Sequence, residues 1–148
     1  VMTLKLIKSG IEPNPTADQE EHTFTYALYP HAEGWRQANT VQEAMKLNQP
    51  RLSEESGHAG CQNSFVWVDK SNVIIETVKM AEDDDGIIVR LYESENAKTK
   101  AHIFFGEKIS SVESCNCLEE IKQTIETDGE GFEITVKPYE IQTYRVRF

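Results

Sequence analysis

The sequence has 148 residues, 39% of them hydrophobic and 27% charged, which is the composition of a folded, soluble protein rather than a disordered tail. Fifteen lysines and arginines stand against 25 aspartates and glutamates, so the net charge is -10. Such a surface repels phosphate backbones and anionic lipids, which argues against nucleic acid or a membrane as partner. No apolar run reaches the roughly 18 residues that a membrane-spanning helix needs.

The three cysteines are Cys61, Cys115 and Cys117, an odd number with no disulfide-type spacing. Nothing in them indicates an oxidising compartment, so we expect a cytoplasmic protein. The first residues lack the basic and apolar regions of a signal peptide. Because the chain opens directly in strand-like alternation and without Met at position 1, we expect it to be a segment of a longer protein.

Two strands are predicted in the first 30 residues. Apolar and polar residues alternate over residues 2–8 and again over residues 22–29, with a loop around Pro13 between them. Both faces of the second segment carry bulky side chains, which favours a central strand. Tyr26 and Leu28 are therefore predicted to lie in a core.

One helix is predicted, near residues 35–48, because apolar residues recur there every three or four positions and Pro50 follows. Residues 53–63 are polar, contain glycine and show no periodicity, as is typical of a linker. The sequence therefore predicts two domains, residues 1–62 and residues 63–148.

Short segments rich in β-branched and aromatic residues fill the rest of the chain at sandwich-like spacing. They are residues 64–68, 73–80, 87–92, 100–105, 132–136 and 139–148. Ile75, Leu91 and Tyr144 are predicted core positions, and the acidic residues 83–86 are predicted to form a hairpin turn that ends in Asp-Gly. Residues 106–117 are ambiguous, and apolar spacing in residues 118–124 predicts a short helical turn. Helices do not alternate with strands, so the predicted fold is all-β, a β-sandwich.

Residues that could bind metal show no recognisable spacing. The histidines are His22, His31, His58 and His102. His58 and Cys61 come closest to a ligand pair, but an exposed loop explains them better, and Cys115-x-Cys117 does not have zinc-type spacing. We therefore assign no metal-binding, cofactor-binding or catalytic residue.

Carboxylates and aromatic residues are also ambiguous guides to function. With 25 acids, some pair will lie at glycosidase-like separation by chance, and several are predicted to face solvent on strands: Glu76, Glu93, Glu133 and Glu140. Aromatic residues alternate as core positions do: Trp35, Trp67, Tyr26, Tyr29, Tyr92 and Tyr144. The alternative, an exposed platform that stacks on sugar rings, is strongest at Trp35 and Trp67.

The segment His22–His31, HTFTYALYPH, resembles the C-terminal half of glycoside hydrolase family 38 α-mannosidases. The similarity continues through the predicted helix and LNQP at 47–50. It extends through NVIIETVK at 72–79, GIIVRLYE at 86–93 and KPYEIQTY at 137–144, and so covers nearly all of the chain.

This resemblance implies a parent enzyme with an N-terminal catalytic α/β barrel, a helical middle domain and C-terminal β-sandwiches, which hydrolyses α-mannosides with retention. Its zinc and its catalytic residues would lie in the barrel, so none is carried onto this chain. Residues 1–62 would be the closing strands and helix of a large β-sandwich. Residues 63–148 would be a small immunoglobulin-like sandwich.

The function implied is a non-catalytic accessory region of an α-mannosidase, which supports the catalytic barrel and leaves room for a homo-oligomer contact. Two alternatives remain open. One is an independent carbohydrate-binding module that grips mannosides through aromatic platforms. The other is a free-standing adhesion or interaction sandwich.

Overall fold

The computed structural model describes residues 2–49 and 64–148, and the chain divides into two compact units, Val1–Ala32 and Glu33–Phe148. All described helices and strands lie in the second unit. They are α1 (Thr40–Asn48), β1 (Val66–Val68), β2 (Val73–Met80), β3 (Ile87–Glu93), β4 (Thr99–Phe105), β5 (Ser111–Cys115), β6 (Ile121–Ile125), β7 (Gly131–Val136) and β8 (Ile141–Arg147). The domain boundary predicted at residue 62 falls outside the described residues and stays a prediction.

Two antiparallel sheets form the sandwich. The smaller sheet has the order β1-β4-β7 and the larger the order β2-β3-β8-β5-β6, so β8 lies in the middle of the larger sheet. The predicted all-β sandwich is confirmed, and each strand predicted from residue 64 onward appears with its bounds shifted by a few residues.

The core fills the space between the sheets because alternate residues of each strand point inward. Leu91, Ile103, Val112 and Val146 have no exposed surface, and Phe132 packs against Tyr144 with ring centroids 4.9 Å apart. Full burial of each such side chain contributes roughly 1.5–3 kcal/mol. The core positions predicted at Leu91 and Tyr144 are confirmed, whereas Ile75 lies at the margin, partly buried.

The helix is shorter than predicted. Residues 34–39 form hydrogen-bonded turns, and Asn39 has a φ of 51°, a left-handed conformation that an α-helix cannot contain. Helix α1 therefore begins at Thr40 rather than near Trp35. It contacts the larger sheet through Met45, whose sulfur lies 3.9 Å from the Tyr92 hydroxyl of β3, and the Gln42 amide donates to the Ser71 carbonyl just before β2.

The first unit differs from the prediction. Residues 2–32 form no strand, and their backbone bonds are local turns such as Ala17 N–H to the Asn14 carbonyl at 3.2 Å. Tyr26 and Leu28 are 68% and 74% exposed, so their assignment to a core is wrong for this structure. A strand needs a neighbour to accept its backbone hydrogen bonds. No described strand pairs with residues 2–32.

The helical turn predicted at 118–124 is also wrong, because residues 121–125 form β6 and pair with β5. The Asn116 side chain holds the connecting turn by accepting from Leu118 N–H at 2.9 Å and Glu120 N–H at 3.0 Å. Glu119 then adopts a φ of 66°. Local hydrogen bonding of an asparagine side chain thus prevails over helical apolar spacing.

Candidate functional site

The acidic turn between β2 and β3 is bound to the last strand. Asp84 and Gly86 have φ values of 60° and 92°, which confirms the predicted hairpin turn. Arg145 Nη1 lies 2.7 Å from Asp83 Oδ2, and hydrogen bonds from this guanidinium hold the pKa of Asp83 below its usual value. Arg147 clamps both carboxylate oxygens of Asp85. These acids therefore anchor the turn as well as shape it.

A second ion pair lies beside this turn. Glu119 is buried, and its Oε1 lies 2.7 Å from Lys79 Nζ while its Oε2 accepts from Glu82 N–H at 2.9 Å. The hydrogen bond from Lys79 lowers the pKa of Glu119. Arg145 is only 5% exposed on the same sheet face. The outer face of the larger sheet is thus covered by ion-paired loops around Arg145.

Glu93, predicted to face solvent, is in fact buried with 1% of its surface exposed. Burial by itself raises its pKa, but hydrogen bonds from Tyr139 N–H, the Asn72 amide and Glu95 N–H outweigh it, so the pKa is below the usual value. Those bonds measure 3.1, 2.8 and 2.8 Å. Glu93 therefore ties three loops together at the end of β3.

Histidines and cysteines are dispersed. His58 and Cys61 lie outside the described residues, His22 contacts the Asp18 carbonyl at 3.0 Å, and the imidazole of His31 lies near Tyr29. Among residues 2–49 and 64–148, no group of three His, Cys, Asp or Glu side chains could hold a metal ion. No described helix is long and apolar enough to cross a bilayer.

The two described cysteines are both free, one buried and one exposed. Burial raises the pKa of the Cys115 thiol. A buried thiol of raised pKa is a poor nucleophile, so Cys115 has the properties of a packing residue.

An aromatic stack lies on the outer face of the smaller sheet. Trp67 on β1 is directly opposite Phe104 on β4, with ring centroids 5.4 Å apart and planes at 11°. His102 lies against the other end of Phe104 at 4.3 Å. Trp67 is 42% exposed, so its predicted core position is wrong and the alternative of an exposed aromatic surface holds there.

Trp35 is exposed as well, with the guanidinium of Arg36 4.6 Å from the centre of its ring. The remaining aromatic residues divide by location. Tyr144 is buried, Tyr92 is half-buried, and Tyr26 and Tyr29 are exposed.

A cavity of about 500 Å³ adjoins the aromatic stack at His102. Its other walls come from the β6–β7 connection and the start of β7: Thr124, Ile125, Glu126, Thr127, Asp128, Gly131, Phe132 and Glu133. Asp128 accepts from the backbone N–H groups of Glu130 and Gly131 at 2.9 and 2.8 Å, and these bonds lower its pKa. The cavity therefore has a fixed polar wall.

Hydrogen bonds and ion pairs lower the pKa of six carboxyls among the described residues. A glycosidase acid must hold its proton near neutral pH, which requires a raised pKa. Each carboxyl with a shifted pKa is shifted downward, namely Asp69, Asp83, Asp85, Glu93, Glu119 and Asp128. These groups are suited to permanent ion pairs and hydrogen bonds.

Comparison with known proteins identifies the region. Residues 72–144 match the family model described as the glycosyl hydrolases family 38 C-terminal beta sandwich domain. The chain is 30% identical to Alpha-mannosidase G of Dictyostelium discoideum over 96% of its own length and 14% of that protein. It is 26% identical to Alpha-mannosidase 2C1 of Mus musculus over 97% of its length and 14% of that protein. It is 30% identical to Alpha-mannosidase 2C1 of Homo sapiens over 80% of its length and 12% of that protein.

The chain thus spans less than one sixth of the length of these relatives. The matched segment runs from Asn72, just before β2, to Tyr144 in β8, and so includes strands of both sheets but not β1. The resemblance found in the sequence is confirmed, and residues 72–144 are a C-terminal β-sandwich domain of glycosyl hydrolase family 38.

Proposed function

We propose that this chain is the non-catalytic C-terminal accessory region of an α-mannosidase, whose parent chain hydrolyses terminal α-mannosides. The observation that carries the proposal is that almost the whole chain aligns with α-mannosidases. The aligned part is about one seventh of the length of those proteins. The downward pKa shifts of the carboxyls support a region without its own catalytic acid. Catalysis then belongs to the remainder of the parent.

The partner we propose is the rest of that parent chain, its catalytic barrel and middle domain. Residues 2–32 support this proposal because they expose large apolar side chains: Met2, Leu4, Leu6, Ile11, Phe24, Tyr26 and Leu28. Large apolar side chains exposed in such number are ordinarily covered by another surface. Covering it would let the alternating segments pair as the closing strands of a larger sandwich.

The parent's zinc, in this proposal, is bound by the catalytic barrel. We accordingly expect that zinc, cobalt or EDTA leaves the melting temperature of the 148-residue chain unchanged, since a bound metal would stabilise it by mass action. A shift of several degrees would place a metal in this chain and contradict the assignment.

The test compares three proteins: the parent, the parent truncated before Val1, and the 148-residue chain alone. We expect the parent to release aryl alcohol from an aryl α-mannoside, the chain alone to give no more than a buffer blank, and the truncated parent to be poorly folded. A parent without α-mannosidase activity would overturn the proposal. So would a truncated parent that remains monodisperse and fully active.

We also propose a cytoplasmic location, which the free thiols of Cys115 and Cys117 support. Microscopy of the parent fused to a fluorescent protein tests it. Fluorescence confined to secretory compartments would contradict it. A homo-oligomer contact is likewise a proposal, and the molar mass of the parent by light scattering decides it.

A further inference from the structure

We propose that an apolar groove between helix α1 and strand β3 is covered, in the parent protein, by an apolar segment of the same polypeptide that lies outside these 148 residues. The existence of such a segment rests on the proposed function, since the chain spans about one seventh of the α-mannosidases that it matches. The groove itself is inferred from packing, composition and size.

Helix α1 is too short and too exposed to be stable by itself. It has nine residues, whereas isolated helices shorter than about 12–15 residues are marginal in water and depend on tertiary packing of an apolar face. The structure describes the whole of Thr40–Asn48, and none of these residues is buried. Asn39 at the start of the helix makes no side-chain capping bond. The described contacts thus hold α1 weakly, and a further contact would stabilise it.

The apolar side of α1 faces the larger sheet without closing against it. Val41, Ala44 and Met45 lie on one side of the helix, at spacings of three and four residues. They line a groove of about 370 Å³, to which Tyr92 of β3 also contributes. The Tyr92 hydroxyl donates to the Met45 sulfur at 3.9 Å, whereas Ala44 stays exposed. The groove therefore has room for large apolar side chains from another segment.

The composition of the groove favours a protein segment over a small polar ligand. None of the described residues that line it is charged. Methionine and tyrosine are enriched at the centre of protein interfaces, where charged residues are depleted, whereas small-molecule sites contain precisely placed polar groups. Ile141, the cross-strand partner of Tyr92, is 61% exposed and extends the apolar surface along the sheet. An apolar stretch of polypeptide is the occupant that matches this lining.

The size of the groove favours a segment of the same polypeptide over a free protein or a second copy. A standard interface contains about 20–30 residues on each side, whereas seven described residues line the groove. A surface this small would bind a free partner weakly. A segment that is joined to the chain has a high effective concentration, so a small contact area is sufficient.

Photo-cross-linking in the full-length parent identifies the occupant. Ala44→p-benzoylphenylalanine places the photoreactive group in the groove. Lys46→p-benzoylphenylalanine is the matched control, because a residue two positions later lies on nearly the opposite side of a helix. We expect irradiation to join position 44 to a peptide of the parent outside these 148 residues, and position 46 to give no such product.

Asn48, which also lines the groove and is exposed, is the second position for the photoreactive group. It guards against a failure caused by the bulk of the group at Ala44. The proposal is overturned if neither position cross-links outside these 148 residues. A cross-linked dimer in place of the internal product would also overturn it, because the occupant would then be a second copy.

Hydrogen–deuterium exchange of the parent gives a second readout. Ala44→Glu introduces a charge into the groove and keeps a residue of good helix propensity, and Lys46→Glu is the control. We expect A44E to accelerate exchange of the α1 amides by about tenfold or more, because the covering segment no longer protects the helix. K46E should stay within about twofold of wild type. Equal exchange rates in A44E and K46E would overturn the proposal, and the cross-linking result decides alone should A44E be insoluble.

Hydrolysis of an aryl α-mannoside by the same preparations separates this inference from the proposed function. If the parent is inactive but position 44 cross-links outside these 148 residues, the proposed function fails and the inference stands. If the parent is active but gives no such cross-link, the inference is overturned and the proposed function stands.

Discussion

Arg145 in the last strand donates a 2.7 Å hydrogen bond to Asp83 in the β2–β3 turn, although the two residues are 62 positions apart. The guanidinium is almost wholly buried, whereas more than half of the carboxylate is exposed. Loss of the ion pair would therefore affect Arg145 more than Asp83, because a buried cation without a counter-charge is unfavourable.

We expect Asp83→Asn to lower the melting temperature, since it removes the carboxylate that pairs with Arg145 at 2.7 Å and leaves Asp85 at 3.7 Å. Asp84→Asn is the matched control, because Asp84 lies in the same turn with a φ of 60° that asparagine also tolerates. Thermal unfolding followed by circular dichroism compares the two. Equal melting temperatures would show that the ion pair does not stabilise the fold.

Glu93→Gln should destabilise the domain by roughly 1–3 kcal/mol at neutral pH, because it replaces a buried acceptor of N–H groups by an amide. The pKa of Glu93 is below its ordinary value of 4.5, so its carboxylate stabilises the fold above that pH. This contribution is lost as the pH falls through the pKa of the folded state.

The difference in unfolding free energy between wild type and E93Q should therefore shrink on acidification. Urea unfolding at a series of pH values from 7 to about 2.5 measures it. Glu107→Gln, in an exposed loop, is the control and should follow the wild type throughout. A difference that stays constant with pH would contradict the role of the Glu93 carboxylate.

Leu91→Ala should cost about 2–5 kcal/mol, since it removes a fully buried side chain from the centre of β3 and leaves a cavity. Val78→Ala on the neighbouring strand, where the side chain is 44% exposed, should cost less than about 1 kcal/mol. Denaturant midpoints of both variants test the position of the core. A similar loss of unfolding free energy in both variants would be inconsistent with a buried Leu91 and an exposed Val78.

Gly131→Ala should cost about 3 kcal/mol or more, because a Cβ there would lie 2.1 Å from the Ile103 carbonyl oxygen and 2.5 Å from His102 Nε2. Gly129→Ala is the comparison variant, because it tests the effect of backbone conformation in the absence of a steric clash. Its Cβ would meet nothing within 4 Å, but its φ is +89°, so we expect a loss of roughly 1–2 kcal/mol. The ranking is contradicted if G129A is the less stable variant.

Strand positions after residue 63 could be predicted because β-branched and aromatic residues alternate there and turn residues separate them. The same alternation contains a signal for Glu93, which is two residues after the buried Leu91 and so shares its inward face. The prediction assigned it to solvent because it is an acid. The strand period was the better guide.

Arg145 shows what alternation cannot reveal. It faces away from the core, between Tyr144 and Val146, yet it is buried because the loops that carry Asp83 and Glu119 cover this part of the outer face of the sheet. Such coverage depends on contacts between distant segments, which no local pattern records. Residues 2–32 are a different case, since their apolar alternation predicts strands but no described strand pairs with them.

The central place of β8 affects the order in which the domain can be assembled on the ribosome. The hairpins β2–β3 and β5–β6 can close as soon as each has been synthesised, but β8 alone joins them into one sheet. Until Ile141–Arg147 emerges, the nascent chain holds two separate half-sheets, and β3 and β5 each present an unpaired edge. Unpaired edges promote association with other chains. A chain that is truncated shortly before residue 141 would therefore leave an intermediate that is prone to associate with other chains.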